Sequence, residues 1–446
     1  MHTQEKLGRL PLIAYSLPSA PVSMLGMMII VYLAPFYAAH MGLELASVGG
    51  IFFLARMWDA VIDPVVGNLS DLTRSRFGRR KPWIAAGTPF LLVFVYLFFQ
   101  PPEGSGSLYL VIVAIAFYAA ITVVQIPYLS WGAELSRDYV QRIRINGYRE
   151  AGTMIGIILV AMIPLIFLRG TDPTVAQIVR TFTLVVVVLL PLTVIPALLL
   201  APKTDPLPTP RLSLFKALYA LRVNRPFLRL MLASVLIWIG GHIYNATSLF
   251  LMKDALGFSP SNFLWFMAVQ FIVGIVCLPA VLRIAAKIGK HRALVLVGMA
   301  FFLILPLYLL VEPGNIPQVL VVIALKGMVT SAVWVLPPAM VADSIEHGLL
   351  EGAGDDTALY MSLYFFIQKF AAAVGVGVAL PVAAWLGFDP QLASNAQTYA
   401  GLKFVAVILP GIIAAPAVFM LFNYPIDEAR HAEIRQSLRE RGVETS

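Results

Sequence analysis

Residues 56–83 read RMWDAVIDPVVGNLSDLTRSRFGRRKPW, and this stretch decides how the rest of the sequence is interpreted. It places Arg56, Asp59 and Asp63 within an otherwise mainly apolar run. In a helix these side chains share one face, because residues three and four apart are neighbours. Charged groups at membrane depth cost about 2.5–3.5 kcal/mol each on insertion scales, and they usually mark functional sites. The stretch therefore predicts a functional site inside a membrane-spanning helix.

The charges in this cluster indicate its ligand. One arginine and two aspartates leave a single net negative charge, which suits one monovalent cation held by carboxylate oxygens, or one proton. We expect Asp59 and Asp63 to bind the cation, with Na⁺ as a possible metal ligand, and Arg56 to balance their charge. The alternative is a structural ion-pair cluster that only fastens the helix to a neighbour.

The composition is typical of an integral membrane protein. Of the 446 residues, 59% are hydrophobic and 13% are charged, compared with roughly 45–50% and 25% in soluble domains. The net charge of +8 does not indicate a nucleic-acid partner, because the basic residues cluster in loops beside apolar spans, where they set topology. Membrane lipid is the expected surrounding.

Windows of about 20 apolar residues mark membrane spans. The predicted spans are 11–39, 45–69, 82–100, 107–134, 147–168, 175–201, 227–252, 260–286, 292–311, 316–345, 357–386 and 396–423. The predicted fold class is therefore an all-α integral membrane protein with twelve transmembrane helices.

A proline-rich polar loop divides the spans six and six. The predicted domains are a first six-helix bundle at 1–201, a central loop at 202–226, a second bundle at 227–423 and a charged tail at 424–446. The sequence FGRRK at 77–81 is weakly echoed by IGKHR at 288–292, at the corresponding place in the second half. Two related halves with a site between them are typical of secondary transporters.

Positive charge is concentrated after the second, fourth, sixth and eighth spans. The positive-inside rule then places the central loop and both termini in the cytoplasm. We expect an integral protein of the plasma membrane, such as a bacterial inner membrane.

Further polar residues interrupt the other spans. Lys369 lies deep in the eleventh span and requires a counter-charge. We expect it to balance Asp59 and Asp63, although a lysine can also reach the headgroups by snorkelling. A polar solute could be bound by a second set of side chains, namely Gln125, Tyr128, Arg149 and Glu150.

The tenth span ends with Asp343 and Glu346, which predict ion pairs of a cytoplasmic gate, or a solvated acidic surface. The sequence contains no phosphate-binding Gly-Lys-Ser/Thr loop, no Cys/His metal spacing and no Gly-x-Ser-x-Gly element. We therefore expect neither an enzyme nor a cofactor other than the coupling ion.

The motif at 56–83 resembles the glycoside–pentoside–hexuronide:cation symporters, the melibiose-carrier family of the major facilitator superfamily. The resemblance continues through a further set of residues, namely Ile126-Pro127-Tyr128 with Glu134-Leu135, Asp138-Tyr139 and Arg142, then Tyr148-Arg149, Ala342-Asp343 with Glu346, and Lys369. It implies a twelve-helix facilitator fold, alternating access, a cation site at Asp59 and Asp63, and a position for Lys369 near that site. The residues that look like the superfamily's loop 2–3 signature are Gly67, Asp71, Arg79 and Arg80.

Two departures from this family concern the solute. Ser23 and Gln125 stand where melibiose-type carriers have sugar-binding carboxylates, and the family's helix 5 arginine falls at Glu150 or Arg149. The resemblance implies symport of a sugar, glycoside or uronide with Na⁺ or H⁺, and these residues are the predicted solute contacts. A cation-coupled carrier of lysolipids or other amphiphiles is the alternative, followed by a non-transporting membrane sensor.

Overall fold

The computed structural model describes residues 7–136, 139–168, 172–202, 219, 221–350, 357–392 and 396–440. Within these ranges all regular structure is helical, and twelve helices are long and apolar enough to cross a membrane. Their bounds are α1 Arg9–Leu33, α2 Leu45–Leu72, α3 Lys81–Phe99, α4 Ser107–Glu134, α5 Arg144–Phe167, α6 Val175–Leu200, α7 Arg225–Ala255, α8 Pro260–Ile288, α9 Lys290–Leu310, α10 Ile316–Leu350, α11 Leu359–Trp385 and α12 Thr398–Phe422. A shorter helix, α13, follows at Glu428–Glu440.

The predicted all-α fold with twelve spans is confirmed. Some bounds differ because helices continue past their apolar part. The α10 helix runs to Leu350, beyond the predicted end at 345, and the helix containing α5 begins at Tyr139. Backbone hydrogen bonding extends a helix through polar residues that hydropathy excludes. The acidic loop at 351–356 and most of the central loop lie outside the described residues.

The chain divides into two compact units, Met1–Pro208 and Thr209–Ser446. In the first unit α1 packs on α5, α2 on α4, and α3 on both α4 and α6. In the second unit α7 packs on α11, α8 on α10, and α9 on both α10 and α12. Each pair in the second unit is a pair of the first displaced by six helices, so the two units are internal structural repeats.

Two glycines mark this repeat. Gly78 comes shortly before α3 with φ +89°, and Gly289 comes directly before α9 with φ +91°. Side-chain-bearing residues rarely adopt this conformation, because their Cβ atom clashes with the backbone. The glycines shared by FGRRK and IGKHR therefore both adopt a positive φ in the connection between the second and third helices of their unit.

The tail helix α13 packs against α10. Among the α13 side chains that the structure describes, Ile434 and Leu438 are buried, four positions apart and hence on one face. Part of the predicted charged tail is thus a docked amphipathic helix.

Candidate functional site

The two predicted cation-binding carboxylates lie together in the first unit. Asp59 is 3% exposed and Asp63 is half-buried, one helical turn further along α2. Both face Thr122 of α4, whose hydroxyl oxygen lies 2.9 Å from Asp59 Oδ1 and 3.0 Å from Asp63 Oδ1. A hydroxyl carries one hydrogen, so it donates to one carboxylate at a time and turns a lone pair towards the other. The packing of α2 on α4 thereby gathers five side-chain oxygens into one site.

Arg56 lies at the edge of this site. Its Nη1 is 3.9 Å from Asp59 Oδ2, and its Cζ lies 4.9 Å from the centroid of the buried Tyr118 ring. The ring face attracts the guanidinium and keeps it beside the acids. With one arginine and two acids, the site has the charge for one monovalent cation. Among the described residues, no group of three or more His, Cys, Asp or Glu side chains could hold a metal ion.

Three of the four residues of the predicted superfamily signature lie in an ion cluster at the C-terminal end of α2, and two of them, Arg79 and Arg80, are buried. Arg80, only 2% exposed, donates to Glu134 Oε1 at the end of α4 through Nη2, at 2.7 Å. The same guanidinium contacts Asp71 and donates to Ser70 Oγ. Arg79 Nη2 donates to the same Glu134 oxygen at 2.8 Å. One carboxylate therefore joins both predicted arginines and fastens the start of α3 to the end of α4.

The fourth predicted residue of this signature, Gly67, lies in α2 facing α4. A Cβ atom built on Gly67 would lie 3.7 Å from a side-chain carbon of Ile126, which is ordinary van der Waals contact. This position therefore does not need glycine for space.

The second unit contains a related arrangement. Lys290 directly follows Gly289, and its ammonium donates to both oxygens of Asp343 at 2.7 and 2.8 Å. In each unit a basic residue after a positive-φ glycine thus pairs with an acid near the end of the unit's fourth helix. The imidazole of His431 on α13 adds a further contact, 2.8 Å from Glu346 Oε2 and 3.4 Å from Asp343 Oδ1. Both predicted gate acids of α10 therefore have basic or imidazole partners.

Tyr424 lies between α12 and α13. Its hydroxyl is 2.9 Å from that of Ser344 on α10. Burial raises the pKa of Tyr424 above its ordinary value, so the phenol stays neutral and serves as a hydrogen-bonding group.

The predicted solute-binding residues differ in their surroundings. The hydroxyl oxygen of Ser23 lies 3.0 Å from the carbonyl oxygen of Thr153 on α5 and 2.9 Å from that of Ala20, and the two acceptors share its one hydrogen. Tyr128 is buried, and its hydroxyl donates to the carbonyl oxygen of Tyr15 at 2.8 Å. Both groups therefore bond neighbouring helices of the first unit, and their contact with solute stays a prediction.

The remaining predicted contacts are more accessible. Gln125 and Arg149 are half-buried, whereas Glu150 is exposed. Arg149 Nη2 donates to Glu150 Oε1 at 2.7 Å. The guanidinium is thus only partly compensated, since its partner carboxylate is exposed to solvent.

Lys369 is half-buried in α11 of the second unit. The preceding residue, Gln368, donates to the hydroxyl of Tyr364 at 2.9 Å, which places other polar groups on the same helix. The charge-balancing role of Lys369 towards Asp59 and Asp63 stays a prediction.

Several residues of these clusters were not predicted as site residues. Thr122 looks like an ordinary polar residue in an apolar span, and Glu134 is 54 positions from Arg80. Lys290 and His431 lie in separate basic and charged segments. Two signals were available for Glu134, because it belongs to the family resemblance and because an ionisable residue at the end of an apolar span requires a partner.

The fold and site define a class of protein. Two repeated six-helix units, with a carboxylate pair inside one of them, are characteristic of secondary active transporters. The chain belongs to the MFS/sugar transport protein family, whose profile matches residues 14–428. The predicted family membership is therefore confirmed.

Relatives agree with this assignment. The chain is 24% identical to an uncharacterized symporter, YjmB, of Bacillus subtilis (strain 168), covering 92% of this chain and 91% of the relative. It is 23% identical to a glucuronide carrier protein homolog of Escherichia coli (strain K12), covering 95% and 94%. It is also 23% identical to the sodium-dependent lysophosphatidylcholine symporter 1 of Xenopus tropicalis, covering 91% and 83%.

A solved structure supports the fold. A mutant of the nucleoside transporter NupG superposes with a TM-score of 0.69 at 12% identity, covering 94% of this chain and all of the other. The family match and the symporter relatives together show that the protein is an integral membrane transporter, a cation-coupled symporter of the major facilitator type, and not an enzyme.

Proposed function

We propose that the protein carries a sugar-type organic solute across the membrane together with one cation bound at Asp59 and Asp63, by alternating access. The observation that carries this proposal is the hydrogen bonding of one Thr122 hydroxyl to both acids. Two carboxylates kept this close repel each other, and a cation between them relieves the repulsion. Solute and cation then raise each other's affinity, typically by 1–3 kcal/mol.

Na⁺ is the first candidate for the coupling ion, and H⁺ is the second. The neutral oxygen of Thr122 adds a ligand to the carboxylate oxygens. A sodium ion requires such additional oxygen ligands to replace its hydration shell, whereas a proton does not. The sodium-dependent lysophosphatidylcholine relative is consistent with this choice.

A solute with its own negative charge fits the residues of the first unit. Ser23 and Gln125 are neutral where melibiose-type carriers have acids, and Arg149 is only partly compensated by Glu150. An arginine fork matches a carboxylate in a bidentate geometry. We therefore infer a uronide or a related glycoside, in agreement with the glucuronide carrier homolog among the relatives.

The test is gradient-driven uptake into proteoliposomes, with a sodium gradient and a pH gradient applied separately. We expect a sodium gradient to drive accumulation of a glucuronide in the wild type and not in Asp59→Asn or Asp63→Asn. Glu44→Gln is the matched control, because Glu44 is an exposed carboxylate just before α2. Uptake that survives in both aspartate variants would disprove the cation site.

An amphiphile such as a lysolipid is the second candidate solute. The sodium-dependent lysophosphatidylcholine symporters among the relatives favour it. Competition of labelled uptake by a glucuronide, a neutral galactoside and lysophosphatidylcholine separates the candidates. If lysophosphatidylcholine is the only one of the three competitors that inhibits uptake, the solute is an amphiphile and not a sugar.

We also propose that the protein resides in a plasma membrane with both termini in the cytoplasm. The positive charge of the loops after the even-numbered spans supports this orientation. Labelling of single cysteines introduced at each terminus, in a variant lacking Cys277, tests it in sealed cells. Labelling of both termini by an impermeant reagent would show that they lie outside the cell and would contradict the proposed orientation.

A further inference from the structure

Among the residues that the structure describes, one lysine buried in the second unit has no carboxylate partner. Lys326 of α10 is 5% exposed. Its Nζ lies 3.8 Å from the centroid of the Tyr244 ring on α7. Across the part of the chain that the structure describes, this ammonium forms no ion pair and donates no hydrogen bond.

The position of Lys326 makes this arrangement unusual. It lies ten residues after Ile316, the first residue of α10, or about 15 Å along a helix that rises 1.5 Å per residue. This depth lies within the hydrocarbon part of a bilayer. The titratable group shown to face it is the buried phenol of Tyr244 on α7, whose hydroxyl oxygen lies 3.2 Å from that of the buried Tyr308 at the end of α9.

The energetics favour loss of the lysine proton in this enclosed state. Removing an ammonium from water without a counter-ion costs more than an aromatic ring returns through a cation–π contact. The cost disappears if water reaches the group, or if the group becomes a neutral amine. A bound anion would also neutralise the ammonium, but it would need room beside Nζ. Loss of a proton needs no such room.

We propose that Lys326 is a proton-binding site of the transporter, separate from the cation site at Asp59 and Asp63. The amine takes a proton from water when α7, α9 and α10 admit water to it. The ammonium returns that proton to water before the three helices enclose it. Only an N–H bond forms and breaks, and each exchange is tied to one change of conformation.

The first experiment measures proton binding without any transport assay. The thermal midpoints of the purified wild type and Lys326→Met are compared from pH 6 to pH 9. Unfolded lysine is protonated throughout this range, so a site that sheds its proton on folding makes the wild type gain stability as pH rises, relative to Lys326→Met. We expect the variant's advantage to be largest at pH 6 and to shrink towards pH 9.

The matched control is Lys287→Met, because Lys287 is an exposed lysine of the same unit. We expect its midpoint to follow the wild type at every pH. A constant difference between the wild type and Lys326→Met would show an ammonium that is kept at all pH values, and would overturn the proposal.

The second experiment tests whether the proton belongs to the transport cycle. Solute exchange is measured over the same pH range for the wild type, Lys326→Met and Lys326→Arg. An arginine keeps its charge throughout, so Lys326→Arg is expected to lose most of its exchange at every pH. Lys326→Met is expected to exchange solute with a flatter pH profile than the wild type.

Wild-type exchange in Lys326→Arg would overturn the proposal. If that variant does not fold, the Lys326→Met profile decides, and a profile identical to the wild type would also overturn it. The inference goes beyond the proposed function, because the first experiment needs neither the solute nor the coupling ion.

Discussion

Replacement of Thr122 by alanine is the sharpest test of the cation site. The hydroxyl lies 2.9 and 3.0 Å from the two acids, and the residue is 1% exposed. Its oxygen is the proposed neutral ligand of the sodium ion, and an interaction of a hydroxyl with a charged group contributes about 1.5–3 kcal/mol. Since each 1.4 kcal/mol is a factor of ten, Thr122→Ala is expected to weaken sodium binding by about 10- to 150-fold.

The assay is a sodium titration of solute binding to the purified protein at constant pH, with the sodium concentration at half-maximal effect as the readout. Thr122→Ser keeps the hydroxyl and is expected to stay close to the wild type. Thr88→Ala is the second control, because the buried Thr88 hydroxyl donates within its own helix, to Ile84 O at 2.7 Å. Equal midpoints for Thr122→Ala and Thr122→Ser would refute the reasoning.

Three further changes test other parts of the structure. Glu134→Ala leaves two buried guanidinium groups without their shared acid and is expected to cost about 3–5 kcal/mol, seen as a lower thermal midpoint; an unchanged midpoint would contradict the cluster. His431→Ala removes the contact to Glu346 and is expected to speed amide hydrogen exchange in α13 without changing α1 to α6; unaltered exchange in α13 would argue against this anchor. Gly375→Val places a side chain where a Cβ atom alone would lie 2.5 Å from His242 Cβ, so expression of folded protein is expected to fall. Gly241→Ala is expected to leave expression unchanged, because a Cβ atom built on Gly241 meets no atom within 4 Å.

Much of the candidate cation site could be predicted from the sequence, because its main residues are close together in the chain. Asp59 and Asp63 are one helical turn apart, so helical periodicity alone places them on one face. Their charge in an apolar span indicated function without any knowledge of neighbouring helices. The same reasoning places Arg56 beside them, and the ion pair at 3.9 Å agrees with it.

The hydrogen-bond partners of Ser23 and Tyr128 could not be predicted in the same way. Both are polar residues in apolar spans, and the sequence offers a solute as their partner. In the structure their hydroxyl groups donate to backbone carbonyls of adjacent helices. A hydroxyl bonded to the backbone and one that faces a solute have the same appearance in a sequence.

The sequence by itself determined the class of fold, the number of spans and the acid pair on α2, because hydropathy and helical periodicity act within a single segment. Only the tertiary structure decided that Thr122 joins the two acids, that Glu134 joins two arginines and that Lys326 faces an aromatic ring. These contacts link residues about 54 to 82 positions apart. They form because six apolar helices must bury their polar groups against one another, and the partners follow from how the helices pack.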